Sequence, residues 1–231
     1  MRLYAIGDVH GCDELLADLH ARINRDLAAR GAADYRIIHL GDYVDRGPDS
    51  RAVIERLARM YAADAKVLCL RGNHDDLLLA FMAGAPGSAE MFLANGGEAT
   101  LASYGVEAGL VARLLGSHAG LGHRLRDAMP AHHHEFLEAL ALSFRFGDFF
   151  FCHAGIRPGV PLDAQSADDL MWIRAGFLDC DDDLGVVVVH GHTPTRGRPD
   201  LRGNRIDIDT GAVFGGPLTC VAIEGSAVRF L

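Results

Sequence analysis

Over the first third of the chain, apolar runs alternate with polar turns that carry glycine, always in the same order. Leu3-Tyr4-Ala5-Ile6 reads as a buried strand and runs into Gly7-Asp8-Val9-His10-Gly11. From Asp13 to about Leu27 the apolar residues Leu15, Leu16, Leu19 and Ile23 recur at helical spacing, with Asp13 and Glu14 where a first turn favours negative charge. Arg36-Ile37-Ile38-His39-Leu40 predicts the second strand. After Gly41-Asp42-Tyr43-Val44-Asp45-Arg46-Gly47, the run Pro48-Asp49-Ser50 opens a helix carrying Val53, Ile54, Leu57 and Met60. Lys66 to Leu70 predicts the third strand, followed by Gly72-Asn73-His74-Asp75 and the apolar helix start Leu77-Leu78-Leu79. Strand, polar loop and helix repeated three times predict an α/β fold with helices covering a largely buried sheet.

Residues 76 to 145 break this rhythm with helical patterns and glycine-rich breaks at 84–87, 96–97 and 116–122, which predicts a helical insert beside the site. Strands are expected again at Phe149–Cys152 and Val186–Val189. The tail segments Ile206–Asp209, Leu218–Ile223 and Ala227–Phe230 alternate and are punctuated by glycine, which predicts antiparallel strands. No repeat, low-complexity tract or linker interrupts the chain, so one domain over 1–231 is expected, with the 76–145 insert inside it.

Composition narrows the class. The chain has 231 residues, 49% hydrophobic and 23% charged, ordinary usage for a globular protein able to bury a sizeable core. It shows no run of 18 apolar residues and no apolar leader ahead of the first motif, so a cytoplasmic protein without membrane association is expected. The five cysteines include no CxxC pair, which predicts free, mostly buried thiols in a reducing compartment. A net charge of −9 argues against extended nucleic-acid binding but not against a small anionic substrate at a local metal site.

The polar turns carry the chemistry. In α/β sheets, ligands bind beyond the carboxyl ends of strands. Asp8 and His10 stand there after the first strand, and Asp42, Asp45 and Arg46 after the second. Asn73 and His74 follow the third, His153 follows Phe149–Cys152, and His190 and His192 follow the valine run. One such ending reads as a turn or a helix cap. Several on one edge would gather carboxylates and imidazoles whose burial is costly unless cations pair with them. The mixed nitrogen and oxygen donors, without thiolate, suit Mn, Fe or Zn. They are too many for one ion, and two ions sharing a carboxylate form the kind of centre that hydrolyses phosphate esters.

These motifs, together with Cys152-His153-Ala154-Gly155, Met171-Trp172-Ile173-Arg174, Gly191-His192-Thr193-Pro194 and Asp209-Thr210-Gly211-Ala212, resemble the calcineurin-like metallophosphoesterases. Within that superfamily the match is to the phosphoprotein phosphatase branch, and the last two motifs are similar to the bacterial and phage lambda-type serine/threonine phosphatases. The resemblance implies a central β-sandwich flanked by helices. It implies that Asp8, His10 and Asp42 hold one divalent ion, and that Asp42 bridges to a second held by Asn73, His153 and His192. Manganese is the expected metal on that basis. A hydroxide between the ions would attack phosphorus, His74 would protonate the leaving oxygen with Asp45 orienting it, and Arg46 and Arg174, with Asn73, would bind the phosphoryl oxygens. The implied substrate is a phosphorylated protein or a small phosphoester. Symmetric bis(5'-nucleosyl)-tetraphosphatases share the motifs and stand as the alternative, and an inactive scaffold is the reading of another class.

Pro194 stands where other metallophosphoesterases carry a further histidine, Ala154 replaces a glycine of eukaryotic relatives, and their C-terminal tyrosine motif is missing. The remaining residues receive structural readings. His190 is expected beside the metal ligands rather than among them, His39 in the core, and His20, His118 and His123 at the surface. His132-His133-His134 reads as a solvated helix start, Asp75 as a helix cap, Asp181-Asp182-Asp183 as a solvated turn, and Trp172 as packing that positions Arg174. Arg157 is expected to brace its loop, with contact to substrate as the second reading.

Overall fold

The computed structural model describes residues 1–31, 34–107, 109 and 120–231. Two five-stranded sheets lie face to face. The first has the order β10-β9-β1-β2-β3 and the second β4-β5-β6-β8-β7. In the first, β1 (Arg2–Ile6), β2 (Tyr35–His39) and β3 (Val67–Cys69) run parallel, and β9 (Cys220–Glu224) and β10 (Ala227–Phe230) complete it antiparallel. In the second, β5 (Phe149–Cys152), β6 (Val187–His190) and β8 (Arg205–Asp207) are parallel, with β4 (Ser143–Phe146) and β7 (Asp200–Leu201) antiparallel at the edges.

The period-two alternation of side chains explains why the strands are apolar on both faces. Leu3 and Ala5 of β1 face the second sheet and meet Phe151 and Val189, together with Ile38, Ile206, Val221 and Ile223. Tyr4 and Ile6 face the other way, onto α1 (Asp13–Arg30) and α2 (Ser50–Ala63) through Leu16, Leu19, Val53 and Leu57. On the far side of the sandwich Phe150, Cys152 and Val188 pack under Leu170 and Phe177, beside α8 (Ala167–Trp172). The sandwich with helices outside is therefore the observed architecture. Between β3 and β4, the described residues form α3 (Asn73–Met82), α4 (Ser88–Ala94), α5 (Gly97–Ser103), α6 (Leu121–Ala128) and α7 (Ala131–Glu138).

Several sequence expectations change. The Ile206–Asp209 segment was expected to be antiparallel, but β8 lies parallel to β6, and only its other neighbour, β7, is antiparallel to it. Alternation identifies a half-buried strand and does not reveal which neighbour it pairs with. The last residues of the 76–145 segment belong to β4, an edge strand joined to β5 by the two-residue turn Gly147-Asp148, a hairpin signal that the helical reading of the segment passed over. His20 is not at the surface: it is 8% exposed, and its Nε2 lies 2.9 Å from Nε2 of the core residue His39. His133 is fully buried rather than solvated. Its Nδ1 pairs with the Tyr104 hydroxyl at 2.9 Å and its Nε2 with Glu55 at 2.6 Å, so the first turn of α7 is locked to α2. His123 and Asp181 to Asp183 are exposed as expected, and His118 lies outside the described residues. All five cysteines are free, and three of them are buried.

Candidate metal centre

The carboxyl ends of β1, β2 and β3 in one sheet and of β5 and β6 in the other open onto the same edge of the sandwich. The turns there are held in conformations that ordinary residues avoid. Among the described residues, the non-glycine residues with positive φ are His10, Asp42, Asp45, Arg46 and His192, every one of them singled out from the sequence for this site. Such backbone costs of order 1–3 kcal/mol per residue and persists where surrounding contacts over-determine it.

Those contacts are specific. Gly41, at φ 108, lies so close to the Gly72 backbone that a side chain would collide with it, and this brings the turn after β2 against the turn after β3. Asp75 clamps the two turns. Its carboxylate accepts from the N–H groups of Asp42 (2.9 Å), Tyr43 (3.0 Å) and Gly72 (2.9 Å). The expected helix cap is thus one of three bonds, and the other two aim the loop that carries Asp42. Burial, followed by the charge of Asp42, pushes the Asp75 carboxyl up to about 8, against the three N–H donors that favour its anion.

Asp42 is the hub. It belongs to two groups of convergent donor atoms, His10–Asp42–His74 and Asp42–His153–His192. Its Oδ2 lies 3.4 Å from His10 Nε2, and its Oδ1 lies 3.4 Å from His153 Nε2. Backbone carbonyls set the tautomers: His10 Nδ1–H donates to Val44 O at 2.8 Å and His153 Nδ1–H to Leu40 O at 3.0 Å. Each Nε2 therefore turns a lone pair toward Asp42, as an imidazole metal ligand does when its other nitrogen is held by a carbonyl. The Asn73 amide oxygen sits 2.9 Å from His153 Nε2 and 2.8 Å from His192 Nδ1. Lone pairs and carboxylate oxygens facing one another in a buried site fit divalent cations. Burial would raise the Asp42 carboxyl, but His153, His74 and His10 outweigh it and hold the pKa low. Burial depresses His10 to about 3 and His192 to about 2, so both are neutral and available as ligands at pH 7.

Asp8 is buried beside this centre, and both its oxygens lie 3.2 Å from the His192 N–H. Gly191 keeps that approach open, since a side chain there would strike the Asp8 carboxylate. His74 Nδ1 is 2.7 Å from Asp45 Oδ2, and its Nε2 faces Asp42 Oδ2 at 4.0 Å. Burial alone would depress His74. The charges of Asp42 and Asp45 outweigh it and hold the imidazole above its ordinary pKa. Arg46 donates to His10 Nε2 at 2.6 Å, and Arg174 donates to the His192 carbonyl at 3.4 Å, so exposed guanidinium groups stand near the two donor groups.

Other residues fall outside the cluster. His190 points into the outer core against Phe177, with Nδ1 on Gly191 O at 3.0 Å. Arg157 braces its loop through a two-armed pair with Asp169 at 2.9 and 2.5 Å. Trp172 lies edge-on to His192, with centroids 6.2 Å apart. Sequence reasoning missed Thr100, and it placed Asp209 in a motif without giving it a role. The Thr100 hydroxyl donates to Asp45 Oδ1 at 2.7 Å and accepts from Asp45 N–H at 2.9 Å, so α5 supports the His74–Asp45 pair; a lone threonine in a helix gives no signal of this. Asp209 is buried next to Asp8, and burial raises it to about 6; its position at a strand end was the available signal.

Comparison with known proteins agrees with this geometry. Residues 1–213 match the family model described as calcineurin-like phosphoesterase. The chain is 25% identical to the bis(5'-nucleosyl)-tetraphosphatase PrpE [asymmetrical] of Bacillus cereus over 95% of its own length and 89% of the relative's. It is 27% identical to serine/threonine-protein phosphatase 1 of Salmonella typhimurium over 96% and 92%. In fold it is similar to a cold-active protein-tyrosine phosphatase of a Shewanella species, with a TM-score of 0.59 and 16% identity over 99% of this chain and 77% of that one. With the edge-of-sandwich cluster and a family match over nearly its whole length, the chain belongs to the calcineurin-like phosphoesterases and is a metal-dependent phosphoesterase.

Proposed function

We propose that this protein hydrolyses phosphoric esters and anhydrides at a dinuclear centre, with dinucleoside tetraphosphates as the leading substrate class. The observation that carries the chemistry is the sharing of Asp42 between the His10–Asp42–His74 and Asp42–His153–His192 groups, with His74 itself paired to Asp45. In this reading Asp8, His10 and Asp42 hold one ion, and Asp42, Asn73, His153 and His192 hold the other, with manganese the favoured metal. Such ions, when bound, act as Lewis acids on the phosphoryl group and bring the pKa of a water toward neutrality. His74, whose pKa the Asp42 and Asp45 charges raise, delivers a proton to the leaving oxygen, and Asp45, fixed by Thr100, holds the imidazole in register. Arg46 and Arg174 clamp phosphoryl oxygens with their planar forks. No side chain acts as the nucleophile, so no phosphoenzyme forms.

The substrate preference rests on the relatives, several of which are PrpE tetraphosphatases. The match to serine/threonine-protein phosphatase 1 supports a second reading, a phosphoprotein substrate, the preference the sequence motifs suggested first. Metal analysis of manganese-loaded protein, paired with turnover of diadenosine tetraphosphate and a phosphopeptide panel, tests both. Two ions per chain and faster cleavage of the dinucleotide are expected. His74→Asn should lower kcat on an alkyl phosphate by about 10²-fold or more, and less on an aryl phosphate whose leaving oxygen needs no proton. Equal losses on both esters would remove His74 from the acid role.

A further inference from the structure

Phe214 has no part in the chemistry described so far. It is 66% exposed, the most exposed large apolar side chain among the described residues. Single exposed apolar residues are common and need no explanation on their own. Phe214 differs in how it is held and in what it lies against.

The residue ends a short 3-10 turn, Ala212–Phe214, set between Gly211 at φ 74 and Gly215 at φ 89, both left-handed. Within the turn, Phe214 N–H donates to Gly211 O at 2.9 Å and Gly216 N–H to the same oxygen at 3.0 Å. Gly211 N–H donates in turn to the Asp209 carboxylate at 3.0 Å, and the Thr210 hydroxyl is tied to Pro217 O at 2.6 Å and to Thr219 at 2.7 Å. The phenyl ring is therefore presented to solvent by a braced turn rooted at the acidic floor of the metal centre.

It also stands beside the phosphate-binding arm. The Arg46 guanidinium carbon lies 5.7 Å from the Phe214 ring centroid, while the same guanidinium donates to His10 Nε2 at 2.6 Å. The Arg46 backbone is fixed by Gly96 O at 3.1 Å and a positive φ of 68°, so the arm is rooted beside the ring. One group thus links the reacting phosphate to an open aromatic face.

We infer that Phe214 is a stacking platform for a nucleobase of the substrate, with Arg46 holding the phosphate chain between the base and the metal centre. This deepens the dinucleoside tetraphosphate reading and rests on it. A flat aromatic face accepts any base, because every base has a π-face, and pairing it with arginine is the recurring way to hold an unpaired nucleotide. With the ring centroid 5.7 Å from the guanidinium carbon, a base stacked on Phe214 would reach a phosphate held by Arg46 through a sugar as spacer. A nucleotide has that spacer; a serine or threonine phosphate carries no ring at all.

The test compares wild type with Phe214→Ala, Phe214→Leu and Phe214→Trp on manganese-loaded enzyme. The readout is the ratio of kcat/KM for diadenosine tetraphosphate to that for glycerol 2-phosphate, which has no ring. In F214A this ratio should fall about tenfold, chiefly through KM for the dinucleotide, as loss of one base–aromatic stack implies. F214W should restore it, and F214L should remain low because it offers bulk without a π-face. An unchanged ratio in F214A, or full retention in F214L, overturns the platform while leaving the catalytic reading intact. A loss confined to phosphotyrosyl peptides, with the dinucleotide unaffected, assigns the ring to a protein substrate and overturns it as well. A wild-type enzyme that cleaves glycerol 2-phosphate but not the dinucleotide removes the nucleotide reading and the platform together.

Discussion

Asp75 shows how much one side chain decides here. From the sequence it is a helix-start acid, and it does accept from Gly72 N–H at the head of α3. Its other two bonds, to the N–H groups of Asp42 and Tyr43, reach a loop more than thirty residues earlier in the chain. Asp75→Ala would leave those donors buried and unpaired, and we expect a loss of about 3 kcal/mol in denaturant unfolding together with weaker metal binding, because the Asp42 loop loses its clamp. Asp75→Asn, which keeps an acceptor oxygen, should lose less. Equal stability of D75A and wild type would show that the loop is held elsewhere. Asp8, His10, Asp42, Asn73, His74, His153 and His192 were all legible as candidates, since each is a polar residue within two positions of a glycine at the end of an apolar run. Thr100 and the second function of Asp75 were not, because they depend on distant partners.

At the scale of elements, α1 and β2 meet through His20 and His39. Burial depresses both, His20 to about 4 and His39 to about 3. An unfolded histidine titrates near 6.5. Between about pH 6.5 and pH 4 the unfolded chain therefore takes up protons that the native pair refuses, so stability is full above that window and declines as the pH falls through it. Replacing both residues with glutamine should flatten the acid limb of urea midpoint against pH relative to wild type, measured from pH 7 to 4.5. An unchanged slope would place the acid sensitivity in other groups. The pair was invisible in sequence for a simple reason. Helical spacing located the apolar stripe of α1 but not the depth to which His20, next to Leu19, is drawn under it. His133 was misread in the same way, as the first turn of α7 looks polar and yet docks on Glu55 of α2. Helix starts and strand cores were easier. Asp49 caps α2 through Ala52 N–H at 2.9 Å, as its place before an apolar stripe predicts.

For the molecule as a whole, the sandwich brings Asp8, Asp42, Asp207 and Asp209 into a buried edge. Burial raises Asp207 to about 8 and Asp209 to about 6, a sign that this edge resists holding so many anions without cations. Manganese at a hundredfold excess over its dissociation constant should raise Tm by roughly 5–10 °C, and a chelator should reverse the gain. Asp42→Asn should lose most of that response, because Asp42 serves both donor groups. A metal response undiminished in D42N would argue against the shared carboxylate.

The sequence by itself determined the α/β class, the order of the first strands and helices, and the donor types at the strand ends, since these follow from local periodicity and from turn residues next to one another in the chain. Tertiary structure decided what periodicity cannot carry. It paired β8 parallel with β6, drew His20 and His133 inward, and carried Thr100 of α5 to Asp45. It also set Phe214 beside Arg46. Each of these depends on which surfaces meet across long stretches of chain, and that is settled by packing the whole molecule rather than by the residues on either side.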